Sequence, residues 1–422
     1  MRGKWKFVWM LLLASVLLVG CSSDSGSEGG EGSEDQVTIQ FWHTFNQAEQ
    51  ETISEIIEAF EEAYPHIKVQ VQAVPFDQAQ NQFKLAAQSG DAPDVFRAEI
   101  AWTPEFADLG YLLELDEYVS DEDLADYLDS PMNYNLYDGH IWGVPQATDA
   151  LALLYNKRML EEAGLSVPTT MDEFLEAAQA LTDESKDQYG FFIRGDAYWV
   201  QPFIWAFGGD LIDGEAREVK IAEPGSIEGT QFYVDLQNKY KVTPATRDFS
   251  QDYDNMQTGF KEGRIAMILN GPWSTSDILS GSEFSDPDNL GIAPIPVGPT
   301  GLTGSPVGGH NYVIYKGTQY PDEAYTFIEF INSAESQAKF AINNNILPTR
   351  ASAYEIPEVA ENRLVADFQA VIEKATNRPV IPEGGAIYTD FTPAIQSAIL
   401  EEVSVEEALK EVEKAWNQLL GN

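Results

Sequence analysis

Arg97 and Glu99 follow a short strand-like stretch at 94–96. Residues two apart in an extended chain share a side, so this pair could clamp adjacent ligand hydroxyls through paired hydrogen bonds. The alternative is a structural ion pair. Trp102, three residues on, offers apolar contact. His310 and Asn311 come directly after Gly308 and Gly309, which lack side chains and let a backbone approach a ligand closely. Signatures of catalysis and cofactor binding are missing: there is no Gly-x-Gly-x-x-Gly after the first strand, no P-loop, no Gly-x-Ser-x-Gly elbow and no His-Glu-x-x-His. His43, His66, His140 and His310 are scattered, with none at i, i+4, so neither a metal site nor a cofactor is expected. With 68 Asp plus Glu, chance carboxylate pairs abound, and spacing alone selects none for glycoside hydrolysis.

These residues sit in a chain of 422, long enough for two domains. The formal net charge of −43 repels phosphate backbones, so no nucleic-acid partner is expected. It also repels an anionic bilayer surface, so membrane attachment must be covalent or mediated by a partner. The charge serves solubility; a second reading is adaptation to a saline or alkaline medium. Cys21 is the only cysteine, which excludes an intrachain disulfide and a cysteine-based metal site.

The positioning elements read as alternating strands and helices. Val37, Ile39 and Phe41 alternate with polar residues, and Ile67, Val69 and Val71 do so again. Between them Ile53, Ile56, Ile57 and Phe60 keep helical spacing, giving a βαβ unit. A helix over 77–89 and a strand at 94–96 follow. Thr170 and Glu173 form a capping box; 190–193, 265–269 and 311–315 read as strands; Leu409, Val412, Trp416 and Leu419 mark the face of a final helix. This alternation implies an α/β architecture with mainly parallel sheets.

The N-terminus carries Arg2, Lys4 and Lys6, then an apolar run over 7–19 that is short for a spanning helix. Leu18-Val19-Gly20-Cys21 resembles the lipobox of bacterial lipoproteins, which implies a signal peptide over 1–20 and lipidation of Cys21. The alternative is an unprocessed anchor with an incidental cysteine. Residues 22–35 contain only Ser, Asp, Gly and Glu, a composition that forms no core and suits a tether, here 21–36 with the lipidated cysteine.

Four further segments, GDAPDVFRAEIAW (90–102), PQATDALALLYNKRMLEE (145–162), NGPWS (270–274) and GGHNYVIY (308–315), resemble in order and spacing the maltose- and maltodextrin-binding branch of the family 1 extracellular solute-binding proteins. Gln146 departs from the signature, which prefers an apolar residue there. The likeness spans essentially the whole chain after about residue 37. It implies a periplasmic-binding-protein-like α/β clamp of two lobes that close by hinge motion on a ligand in the cleft between them. The implied lobes are 37–148 with 308–355 and 149–307 with 356–422, with crossings near 148–150, 304–309 and 353–357. The Gly- and Pro-rich stretch 294–309 suits a hinge or cleft lining, or else an ordinary surface loop.

A sugar offers hydroxyls and apolar C–H faces, so its site combines aromatic platforms with planar polar groups. The resemblance assigns stacking to Trp273, Tyr198 and Tyr388, with Trp199 adjacent but equally able to pack inward. It gives Asp149 a ligand contact where many members have Glu, and it turns His43 and Asn46 toward the cleft. For His43, Asn46, Asp149, His310 and Asn311 a purely structural hydrogen bond competes with ligand contact; Arg194 and Asp196 are weaker candidates. The function implied is capture of a neutral oligosaccharide such as maltodextrin by a monomeric, lipid-anchored receptor outside the cell membrane, which delivers it to the permease subunits of an ABC importer. Rival readings are the same fold with another oligosaccharide or polyol, a secreted glycoside hydrolase, and a sensor or adhesion lipoprotein.

Overall fold

The computed structural model describes residues 36–422. Cys21, the expected signal peptide and the tether lie outside the described residues.

The strands, in chain order, are β1 (Val37–His43), β2 (Ile67–Ala73), β3 (Val95–Glu99), β4 (Leu136–Tyr137), β5 (His140–Ile141), β6 (Val144–Ala150), β7 (Ala152–Asn156), β8 (Tyr189–Phe191), β9 (Ile212–Asp213), β10 (Glu218–Val219), β11 (Ile265–Asn270), β12 (Leu290–Ala293) and β13 (Val307–Ile314). Two sheets carry the two-lobe arrangement. One has five strands in the order β2-β1-β3-β13-β6, the other four in the order β12-β7-β11-β8. Helices flank both.

The βαβ unit forms as its spacing requires. Helix Gln47–Ala63 buries Ile53, Ile56, Ile57 and Phe60, and β1 pairs with β2 in parallel from Val37 opposite Ile67. The Thr170–Glu173 capping box starts helix Met171–Ala180. The sheets are mixed, however, rather than mainly parallel. β13 runs antiparallel to β3 and to β6, and β7 antiparallel to β11 and β12. The reason is connectivity: β6 and β7 are consecutive strands in different sheets, and β13 returns to the first sheet from the opposite direction.

Each sheet has its own core. Phe41, Phe60, Phe327 and Tyr312 pack on one face of the five-stranded sheet, and Phe83, Phe96 and Phe106 on the other. Beside the four-stranded sheet, Phe174, Phe191, Phe203 and Trp416 belong to a second large core. At about 25 cal/mol per Å² of buried apolar area, each such ring contributes on the order of 2–3 kcal/mol before entropy is counted.

Candidate functional site

β1 and β3 run parallel, so their carboxyl ends open on the same edge, where β13 begins beside the end of β6. Ligands in open α/β sheets bind beyond such ends. Alternation on β3 puts Phe96 and Ala98 against Trp102 and Phe83, and Arg97 and Glu99 on the opposite face.

Arg97 and Glu99 do not pair with one another. Arg97, 2% exposed, donates from Nε to Gln146 Oε1 at 2.9 Å and from a terminal nitrogen to Thr44 Oγ1 at 3.0 Å. Its guanidinium lies 4.0 Å from the centre of the Phe45 ring. Its charge faces buried Glu49, whose carboxyl burial pushes up. His43 is also buried, and its Nδ1 accepts from the Phe45 N–H. Burial, with Arg97 adding to it, lowers the His43 pKa to about 4, so the ring is neutral near pH 7.

Glu99 pairs instead with Arg378, and its other oxygen accepts from the Ala101 N–H at 2.9 Å. Arg378 is 5% exposed. It donates from Nε to the Val307 carbonyl at 2.9 Å and from its backbone N–H to the Tyr134 hydroxyl at 2.7 Å. It reaches the Tyr388 hydroxyl at 3.4 Å and lies 5.5 Å from the Tyr198 ring centre. The Tyr388 hydroxyl also accepts from Gln201 Nε2 at 2.9 Å, and its ring lies 6.4 Å from that of Tyr198. Tyr198 donates to the Pro306 carbonyl at 3.3 Å.

Asp149 completes this cluster. A Cβ on Gly308 would lie 2.1 Å from Asp149 Oδ1 and 2.8 Å from the Tyr198 hydroxyl, so only glycine fits there. Burial pushes the Asp149 carboxyl up to about 7, against the pull of Arg378 and Arg97. His310, opposite Glu99 in the register, has a buried Nε2 without a hydrogen-bond partner among the described residues. Burial, then Arg97 and Arg378, hold its pKa well below the ordinary imidazole value.

Trp273 lies half-buried against residues of both large cores. Its indole N–H donates to the Tyr253 hydroxyl at 3.2 Å, and its carbonyl accepts from Asn46 Nδ2 at 3.2 Å. Gly271 supports the ring, since a Cβ there would fall 1.9 Å from it. Asn46 also caps helix Gln47–Ala63. Trp102 stacks obliquely on Phe76 at 5.3 Å and stands 3.1 Å from where a Cβ on Gly385 would be.

Four candidates are committed to the protein's own framework. Trp199 packs inward, its N–H donating to the Leu269 carbonyl at 2.8 Å with Arg194 over its ring at 4.0 Å. Asn311 is fully buried between Thr103 and Asn135, on the face opposite His310. Arg194 pairs with Asp252, while Asp196 accepts from the Tyr198 N–H at the start of helix Ala197–Ala206. Sequence reasoning passed over Arg378, Gln201 and Glu49. The one available signal for Arg378 was an arginine among the turn residues of 375–387 in a chain with only 25 cationic residues.

The assembled site offers aromatic faces, planar hydrogen-bonding groups and a buried charge network. Comparison with known proteins agrees. The GacH receptor of Streptomyces glaucescens, solved unliganded and with acarbose, is 37% identical with a TM-score of 0.87, over 92% of this chain and 99% of that one. Maltose-bound MalE3 of T. maritima is 27% identical with a TM-score of 0.83, over 91% and 100%. The maltotriose-binding protein of Pyrococcus abyssi is 26% identical over 369 residues, 86% of this chain and 77% of that protein. Residues 46–338 match the model of the bacterial extracellular solute-binding protein, and the chain belongs to that family.

Proposed function

We propose that the protein is the sugar-capturing receptor of an ABC importer, taking a neutral oligosaccharide of the maltodextrin class between its lobes. The observation that carries this reading is the cluster of Tyr198, Tyr388, Arg378, Glu99 and Asp149 facing the carboxyl edge of the five-stranded sheet, with Trp273 against both cores. Rings for C–H faces and fixed planar groups for hydroxyls are what a carbohydrate requires. The names of the relatives support the same ligand class. In this reading Trp273, Tyr198, Tyr388 and Trp102 supply platforms, while Asp149, Glu99, His310 and Asn46 reach hydroxyls. His43 and Arg97 hold the wall behind them.

The lobes are 37–148 with 308–355 and 149–307 with 356–422, and ligand shifts the open–closed balance through its preference for the closed form. Cys21 carries the lipid that tethers a monomer to the outer face of the membrane, where the permease subunits receive the sugar.

The test is calorimetric and fluorescence titration with maltose, maltotriose, cellobiose, xylobiose and trehalose. Maltotriose binds with a change in tryptophan emission, and Trp273→Ala weakens it by about five- to 100-fold, taking the stacking of a sugar face to be worth about as much as that of a base, about 1–3 kcal/mol. Trp199→Phe loses stability but not affinity. Silence toward all five sugars in folded protein removes the maltodextrin assignment, and turnover of any of them at catalytic protein amounts removes the receptor assignment.

A further inference from the structure

We propose that Glu114, Asp116 and His140 form a surface site for a divalent transition-metal ion of the zinc, nickel or cobalt class, separate from the sugar cleft. The segment carrying the two carboxylates is anchored to the five-stranded sheet. Leu113 N–H donates to the Ile314 carbonyl at 2.9 Å, and Leu115 is fully buried. Alternation therefore turns Glu114 and Asp116 outward together, and both are exposed. His140 arrives on the β4–β5 hairpin, whose turn residues Asp138 and Gly139 have φ of 50° and 82°. An Asp-Gly pair with two positive φ angles is the turn that suits the twist of a two-residue hairpin. Leu115 N–H donates to the Ile141 carbonyl at 2.7 Å, and Ile141 N–H to Asp116 Oδ2 at 3.3 Å. Hairpin and segment are thus tied together before any ion arrives.

His140 Nδ1 lies 3.3 Å from Asp116 Oδ2 and 3.8 Å from Glu114 Oε2, and the three donor atoms are within 4.8 Å of one another. An ion with bonds of about 2.0–2.2 Å holds its donors roughly 3–3.5 Å apart. Small rotations of exposed side chains supply the difference. Among the described residues neither carboxylate has a Lys or Arg ion-pair partner, and His140 lies against both. The imidazole selects transition metals over calcium and magnesium, which prefer all-oxygen shells. His140 stands 24 residues from Asp116, so no short motif announces the set.

Zinc, nickel and calcium chlorides are titrated into the full chain and into His140→Ala at pH 7.5 and 5.5 by calorimetry. Zinc and nickel bind one site at pH 7.5 that His140→Ala weakens by at least about tenfold. Metal binding competes with protons for its ligands, so the same site weakens at pH 5.5. Acidic residues and Cys21 near the N-terminus are common to both proteins and cancel in the comparison. Equal zinc affinity in the two proteins, or calcium binding of equal strength that also depends on His140, overturns the proposal. Unchanged thermal unfolding of the metal-free variant, expected for an exposed side chain, excludes misfolding as the cause of a loss.

Discussion

Replacing Asp149 with Asn tests the electrostatics of the cleft directly. The carboxyl is buried beside Gly308 and Tyr198, and its pKa stands at about 7 against an ordinary 3.8. Between those values the folded protein holds a proton that the unfolded chain has released, so stability falls as pH rises through the window. At 1.36 kcal/mol per pH unit, the gap of about three units corresponds to roughly 4 kcal/mol, lost progressively from about pH 4 to pH 7 and constant above. Asn is nearly isosteric and does not titrate. The difference in unfolding free energy, variant minus wild type, therefore rises by up to roughly 4 kcal/mol between pH 4 and pH 8, while other titrating groups cancel. His43 works in the opposite sense: with a folded pKa of about 4 against 6.5, it makes stability rise over that interval by roughly 3 kcal/mol. The variant should thus expose an upward slope that Asp149 masks in the wild type. Urea unfolding of both proteins at half-unit pH steps measures this. A difference that stays flat within about 1 kcal/mol from pH 4 to pH 8 refutes the reasoning, because the carboxyl would then titrate as in water.

The Glu99–Arg378 pair gives a second prediction. Glu99→Gln leaves the buried guanidinium without its counter-charge and costs about 3–5 kcal/mol in unfolding free energy, while the double variant with Arg378→Gln recovers part of the loss; a simple sum of the two single losses would show no coupling. Gly271→Ala puts a methyl into the Trp273 ring, so the indole must move. Destabilisation of about 1–3 kcal/mol and a shift in tryptophan emission are expected, and an unchanged spectrum would mean that the ring is not held by Gly271.

The sequence made the secondary elements legible where a period repeated, as in Ile53, Ile56, Ile57 and Phe60, or where a cap was local, as in Thr170 with Glu173. Strand direction was less legible, because it depends on which sheet the chain enters after each crossing, and the break between Ala150 and Ala152 carries no turn residue. At the C-terminus Leu409, Val412 and Trp416 are buried as their spacing requires, but the face ends on Leu420 rather than Leu419, which is 38% exposed. Arg97 with Glu99 looked like a pair because spacing reports which residues share a side. It does not report what the opposite wall brings, and here Arg378, 279 positions away, takes the carboxylate. Trp199 and Asn311 sit beside Tyr198 and His310, and one residue along a helix or strand turned each into the framework.

The placement of β13 between β3 and β6 bears on how the protein is made. A chain emerging from its N-terminus has β1, β2 and β3 early, but β6 has no neighbour in its sheet until residues 307–314 arrive. The four-stranded sheet is complete once β12 ends at Ala293. The sheet that begins first therefore finishes last, and its closure joins segments more than 200 positions apart, such as Asn311 with Thr103. Long-range strand pairing of this kind is slow, and an unpaired β6 is an open edge while it waits. β13 is the last strand of the chain yet lies inside its sheet, so the five-stranded sheet cannot close until residue 314 has been made.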